Sequence, residues 1–130
     1  MTCREKQDPV DLLMADLEKA AEARDVSGIE KHLTAGFSGN EIVSREEALS
    51  QLRRYFAAYE TIQIDVTNVE RSESGNRVTF HVSFSGKGNA ALNLQNLLPS
   101  SAAYDFELLL VYEDGAMKVK KAFWQETSAL

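Results

Sequence analysis

Few side chains in this sequence could do chemistry near neutral pH. There are two histidines, His32 and His81, one cysteine, Cys3, and scattered carboxylates. His81 sits within Val78-Thr79-Phe80-His81-Val82-Ser83-Phe84, where apolar and polar residues alternate with the period of a strand. It therefore shares a face with Thr79 and Ser83. Asp65, Asp105 or Glu107 could lie beside it on neighbouring strands, and a histidine–carboxylate pair is general-base material. The ordinary reading is a polar outer face, because an antiparallel sheet shows the same alternation without any function. His32 stands beside Leu33 with no spaced partner and reads as a boundary residue. Two histidines so far apart make no metal signature, and no cofactor motif is present. Gly86-Lys87-Gly88 follows a strand and opens no helix, so it is not a phosphate-binding loop. No serine sits in a nucleophile elbow.

These residues must be positioned by a single domain of ordinary composition. The 130 residues are 44% hydrophobic and 26% charged. A net charge of −6 argues against a nucleic-acid partner, which asks for clustered Lys and Arg. Arg53-Arg54 and Lys118, Lys120 and Lys121 are local basic groups and read as solvated faces. No apolar run reaches the roughly 18 residues of a membrane helix. One cysteine allows no internal disulfide and no cysteine-based metal site.

Three helical stretches come first. Asp8 is a good N-cap and Pro9 suits the first helical position, where no amide donor is needed. Val10, Leu13, Met14, Leu17, Ala20 and Ala21 then form one stripe. Asp25 caps a second helix in which Val26, Ile29 and Leu33 share a face, and Gly36 is placed to end it. Ser44 and Glu47 form a capping box for the third helix, striped by Leu49, Leu52, Phe56 and Tyr59.

From Thr61 the period changes to two. Ile62, Ile64 and Val66 alternate with polar residues, and Val78, Phe80, Val82 and Phe84 do the same. Tyr104, Phe106, Leu108, Leu110 and Tyr112 share a face of a third strand. Asp114-Gly115 is a two-residue hairpin turn. In the last strand simple alternation puts Met117, Val119 and Phe123 on one side, and Ala122 and Trp124 on the other. Leu109, Val111 and Trp124 then interrupt the outer face. The connection Gly86 to Ala102 is long for a hairpin yet carries Leu92, Leu94, Leu97 and Leu98, which suggests a folded-back flap. The expectation is an α+β domain over residues 8–126, its helices packed on a curved antiparallel sheet, with residues 1–7 as a flexible N-terminal segment.

Three features carry a resemblance to a known family. They are Ala23-Arg24-Asp25-Val26-Ser27-Gly28-Ile29 entering the second helix, the capped third helix, and the Glu113-to-Val119 hairpin leading to Trp124. With the long first helix, they resemble the nuclear-transport-factor-2-like superfamily, the cystatin-like or SnoaL-like roll that includes ketosteroid isomerases. The resemblance implies a cone-shaped cavity, lined here by Leu17, Phe37, Phe56, Tyr59, Phe80 and Leu108. It also puts Glu41 at the cone's mouth, making it the best single carboxylate candidate. The isomerases' catalytic set does not carry over. The base position falls near Asn40-Glu41, the tyrosine position near Leu17, and the acid position near Leu108 or Leu109. An apolar side chain cannot donate to a developing oxyanion.

The N-terminus adds a second resemblance. Cys3 followed by polar Arg4-Glu5-Lys6-Gln7 is similar to a processed bacterial lipoprotein, with a lipidated cysteine and a short tether. With a leader cleaved before Cys3 the chain would be extracytoplasmic and held at a membrane; otherwise it would be cytoplasmic.

The leading expectation is a domain that binds a small apolar ligand in its cone, without catalytic machinery or cofactor, as a homodimer through the sheet. One alternative is a lipoprotein that serves as an accessory or interaction module. Another is an isomerase, dehydratase or cyclase using Glu41 or His81.

Overall fold

The computed structural model describes residues 8–40, 43–92, 94 and 98–127. The expected N-terminal segment with its lipidation candidate Cys3 lies outside these residues, as do Glu41 and Leu97.

Helix α1 spans Pro9–Glu22 and starts where its cap dictates: the Asp8 side chain accepts a hydrogen bond from the Val10 amide at 2.8 Å. It buries Val10, Leu13 and Ala20. Helix α2, Val26–Glu30, is capped by Asp25, which accepts from the Gly28 amide at 3.1 Å. It is shorter than the sequence pattern predicts. Leu33–Gly39 is a strand, β1, and Gly36 lies inside it rather than ending a helix. Leu33 and Phe37 have the spacing of a helical stripe, but both reach the core from an irregular strand.

A two-residue strand β2, Val43–Ser44, precedes helix α3, Arg45–Ala58, which opens with the reciprocal Ser44–Glu47 capping box. Four long strands follow: β3 Tyr59–Arg71, β4 Arg77–Gly88, β5 Ser101–Glu113 and β6 Ala116–Glu126. Asp114 and Gly115 take positive φ, 56° and 79°, as a tight hairpin turn demands. The flap is shorter than expected, because β4 runs on through Gly86 and Gly88. A side chain at 86 would meet Phe84 at 2.8 Å and the Thr61 carbonyl at 2.9 Å, so glycine lets the strand pass beneath an aromatic pair. The flap's leucines divide: Leu92 is 56% exposed, Leu94 is half-buried, and Leu98 packs on the core.

The strands form one six-stranded sheet in the order β2-β1-β6-β5-β4-β3. The α+β class is as the sequence suggests, but the sheet is mixed. β1 runs parallel to β6, while the other neighbours are antiparallel. In register, Phe80 lies opposite Phe106 and Phe106 opposite Trp124; Val78, Leu108 and Ala122 make the row beside them.

One bulge corrects the expected face of β6. Leu109 pairs with Lys121 and Leu110 with Val119, which leaves Lys120 without a partner. A bulge shifts the side-chain phase by one. Val119, Ala122 and Trp124 therefore all serve the helix-facing side, and Phe123 is the residue turned out, 40% exposed. Trp124 does not belong to the outer face.

The helices cover the inner side of the sheet over two apolar clusters. The larger joins Val10 and Leu13 to Leu49, Val78, Leu108 and Val119. The smaller is Phe56, Tyr59 and Ile62, with Leu98 packed against it. Leu52 and Val26 touch both. Arg71 ties the far end of β3 to the first turn of α1 by 2.6 Å contacts to Asp8 and Asp11. Arg24 donates to the Tyr59 carbonyl at 2.9 Å and so holds the end of α3.

Candidate functional site

Against the larger cluster the inner face carries aromatic rings from three adjacent strands. Phe80 and Phe106 stack with centroids 5.3 Å apart and planes 3° from parallel. Phe106 and Trp124 follow at 6.1 Å and 27°. Tyr104, two residues along β5, meets Phe106 edge-on at 6.2 Å and 63°. All four are half-buried, neither sealed in the core nor in open water. The row exists because period-two alternation on β4 and β5 and the bulge on β6 point these side chains the same way.

Trp124 is fixed from below and behind. A Cβ on Gly39 would stand 3.0 Å from the indole, so the ring lies against bare backbone. Asn40 makes two hydrogen bonds to the Trp124 main chain: its amide donates to the carbonyl at 2.9 Å, and its oxygen accepts from the N–H at 3.0 Å.

A tyrosine group closes one end of the strip. Tyr59 stacks on Tyr55 at 6.1 Å, meets Phe84 edge-on at 5.1 Å, and donates its hydroxyl proton to the Pro99 carbonyl at 2.8 Å. The Tyr104 phenol is pushed up to about 12, first by burial and then by the neighbouring Tyr55 hydroxyl, with Glu126 adding to the effect. It is a neutral hydrogen-bond donor across the physiological range. Glu126 faces Tyr104 directly in the β5–β6 register.

The six residues expected to line a cavity are divided by the structure. Phe37 and Leu108 are buried in the larger cluster, and Phe56 and Tyr59 in the smaller. Leu17 and Phe80 are half-buried and pack against the larger one. Of these, only Phe80 belongs to the stacked row. Sequence reasoning missed Phe106, Tyr104 and Trp124 as a group, because the row is defined by cross-strand register. The signal that could have found it is the three aromatic positions on consecutive strands.

His81 does meet a carboxylate. Its Nδ1 lies 3.0 Å from Asp105 Oδ1, directly across the β4–β5 ladder. The pair is on the outer face, with side chains 29% and 66% exposed, beside the Arg77–Glu107 ion pair. An exposed pair of this kind is a surface feature and does little in water. Asp105 also leaves the isomerase acid role empty, since it points away from the inner face. His32, by contrast, is held below the usual imidazole range by burial, with Asp16 at 3.5 Å partly opposing the shift.

Two open clefts lie off the strip. One of about 700 Å³ runs along β1 to the start of α3, between Phe37, Arg45 and Lys118. The other, about 440 Å³, is bounded by the β3–β4 turn and Leu109. No group of three metal-ligating side chains occurs among the described residues, and no described helix is long and apolar enough to cross a membrane.

No family model and no curated protein matches the sequence. Solved structures do match its shape. AusH from Aspergillus nidulans has a TM-score of 0.72 at 14% identity, over 98% of this chain and 89% of that one. A hexachlorocyclohexane dehydrochlorinase, LinA type 2, gives 0.68 at 14%, over 92% and 84%. An uncharacterized protein with a cystatin-like fold from Caulobacter vibrioides gives 0.69 at 12%, over 93% and 89%. Likeness at such identities speaks to fold and not to activity. The chain therefore shares the cystatin-like α+β fold of these structures, as the sequence resemblance led one to expect.

Proposed function

We propose that this chain is a binding domain that takes a small, flat apolar ligand on the aromatic strip inside its roll, without isomerase-type chemistry. The observation that carries this is the row of Phe80, Phe106 and Trp124, aligned in register and left half-buried. Rings that stand parallel on a sheet present their positive edges upward. A flat arene laid across them meets those edges with its negative face, the favoured edge-to-face arrangement. Burying the remaining apolar area adds about 25 cal/mol per Å². The activity of the dehydrochlorinase is not carried over, because the likeness is one of fold, and two of the three positions that match the isomerase roles, Leu17 and Leu108 or Leu109, are apolar.

The single tryptophan is part of the proposed site, so its emission reports binding directly. Titration with fluorene should shift Trp124 emission saturably, and Phe106→Ala should weaken binding about tenfold or more, equivalent to ~1.4 kcal/mol. No saturable change up to the solubility limit, with calorimetry also silent, would reject the reading.

A second reading has its own support. Phe37, Phe56, Tyr59 and Leu108 are 2–8% exposed, so much of the expected cavity wall is packed core. On that reading the roll is filled and the domain acts as an interaction module, with the lipoprotein tether at Cys3 as one way to present it. In either case we propose a homodimer through the outer face, where Leu109, Val111 and Phe123 stand among polar residues.

A further inference from the structure

We propose that the open cleft beside the β3–β4 turn is a second binding site, for a small carboxylate on a short apolar tail. It is independent of the aromatic strip and lies on the outer side of the sheet, where Arg77 and Leu109 stand opposite each other in register.

The first observation is a reversal of charge. The chain holds 20 acidic residues against 14 basic ones. Yet no carboxylate among the described residues lines this cleft of about 440 Å³, while Arg77 and Lys120 both do, against an apolar wall that includes Leu109 and Val111. A cleft with one sign of charge and a low-dielectric wall focuses its field on an incoming anion.

The second observation is which polar groups are left for a ligand. Asn76 Oδ1 accepts from the hydroxyls of Ser72 and Ser74, so the amide end of Asn76 is the free one. The Arg77 main-chain N–H donates to Ser72 Oγ at 3.2 Å, and the Ser72 N–H donates to the Arg77 carbonyl at 2.9 Å, so the turn is closed on itself. Arg77 Nε is held by Glu107 at 2.9 Å, and its two Nη groups have no partner among the described residues. Lys120, the bulge residue of β6, makes no ion pair among them either. What remains is a set of donors: guanidinium end, ammonium and amide. A ligand that only accepts, an oxyanion, satisfies it.

The kind of anion follows from the neighbours. Glu107 occupies the other edge of the same guanidinium, so the second charge of a phosphate dianion would meet like charge there. A carboxylate brings one charge, and its two oxygens match the planar pair of Nη groups. Leu109 and Val111 are half-buried and receive a tail of a few carbons. Both also belong to the outer face proposed above for a dimer, so the ligand and a second copy compete for them.

The test titrates the full chain with octanoate, octanol, acetate and octyl phosphate, followed by calorimetry and by amide and indole chemical shifts. Octanoate should shift the amides of Asn76, Arg77, Val111 and Lys120 saturably and leave the Trp124 indole unmoved. Octanol, without the charge, and acetate, without the tail, should each bind about tenfold more weakly or worse. Octyl phosphate, as a dianion, should bind more weakly than octanoate. Arg77→Gln should weaken octanoate about tenfold, and Glu107→Gln should tighten it about threefold, a gain that damage to the fold would not produce. Octanol binding as tightly as octanoate would overturn the proposal. So would weaker binding in Glu107→Gln, or shifts that reach Trp124 and spare the turn. No saturable binding of octanoate would remove the cleft as a site and leave the inner-face reading standing. If Arg77→Gln fails to fold, Lys120→Gln decides, since it too should weaken octanoate, by about threefold or more; unchanged affinity there would overturn the proposal.

Discussion

Trp124 shows how a single side chain is held in a half-buried site. Its ring lies against Gly39 and its main chain is gripped by Asn40, so position comes from backbone rather than from a sealed pocket. Asn40→Ala removes both hydrogen bonds and should cost about 1–3 kcal/mol in chemical denaturation. Phe80→Ala should cost about 3 kcal/mol, the low end of the about 3–5 kcal/mol for a buried phenylalanine, because Phe80 keeps part of its surface in water. His32 adds a pH effect. Burial sets its folded pKa below the ordinary 6.5, so the unfolded chain takes up the proton first. Its contribution is fully present above pH 6.5 and is lost as pH falls through the lower folded value. Denaturation of the natural chain and of His32→Asn across that interval should show a steeper loss in the natural chain; parallel curves would contradict the assignment. At this scale the helix caps Asp8, Asp25 and Ser44 were legible in the sequence, since each is a local hydrogen bond between near neighbours.

At the scale of elements, legibility followed the range of the interaction. β3, β4 and β5 announce themselves by alternation and the Asp114-Gly115 turn by its residue types. β1 was hidden because Leu33 and Phe37 satisfy helical spacing, and only the partner strand β6, more than eighty residues on, decides between helix and strand. The bulge at Lys120 was hidden for the same reason: nothing in the sequence of β6 marks the residue that will lack a partner. That single residue reassigned Trp124 from the outer face to the inner one and so created the candidate site. A test lies in Gly39→Ala. The added methyl would stand 3.0 Å from the indole, so the ring must move. Overpacking of this kind costs about 1–3 kcal/mol, and Trp124 emission should move to longer wavelength as the ring gains water. Unchanged emission and stability would mean that the strand pair tolerates the methyl and that Gly39 does not seat the ring.

For the whole molecule, the roll has an inner face with a chemical gradient, apolar along the aromatic row and polar at the tyrosine end, and an outer face of neutralised pairs broken by Leu109, Val111 and Phe123. The sequence resemblance predicted the container but not its contents, because four of the six expected lining residues became core. Sedimentation at high micromolar concentration should show a dimer, which Phe123→Glu should dissociate; monomer throughout would remove the outer face from the account. The central claim, a ligand seat on the inner face, is tested most directly by amide and indole chemical shifts during titration with fluorene. The account predicts that the Trp124 indole resonance and the amides of Phe80, Tyr104 and Phe106 shift together and saturate at one concentration. Shifts confined to the outer face or to the two clefts beside β1 and the β3–β4 turn, with the Trp124 indole unmoved, would contradict it.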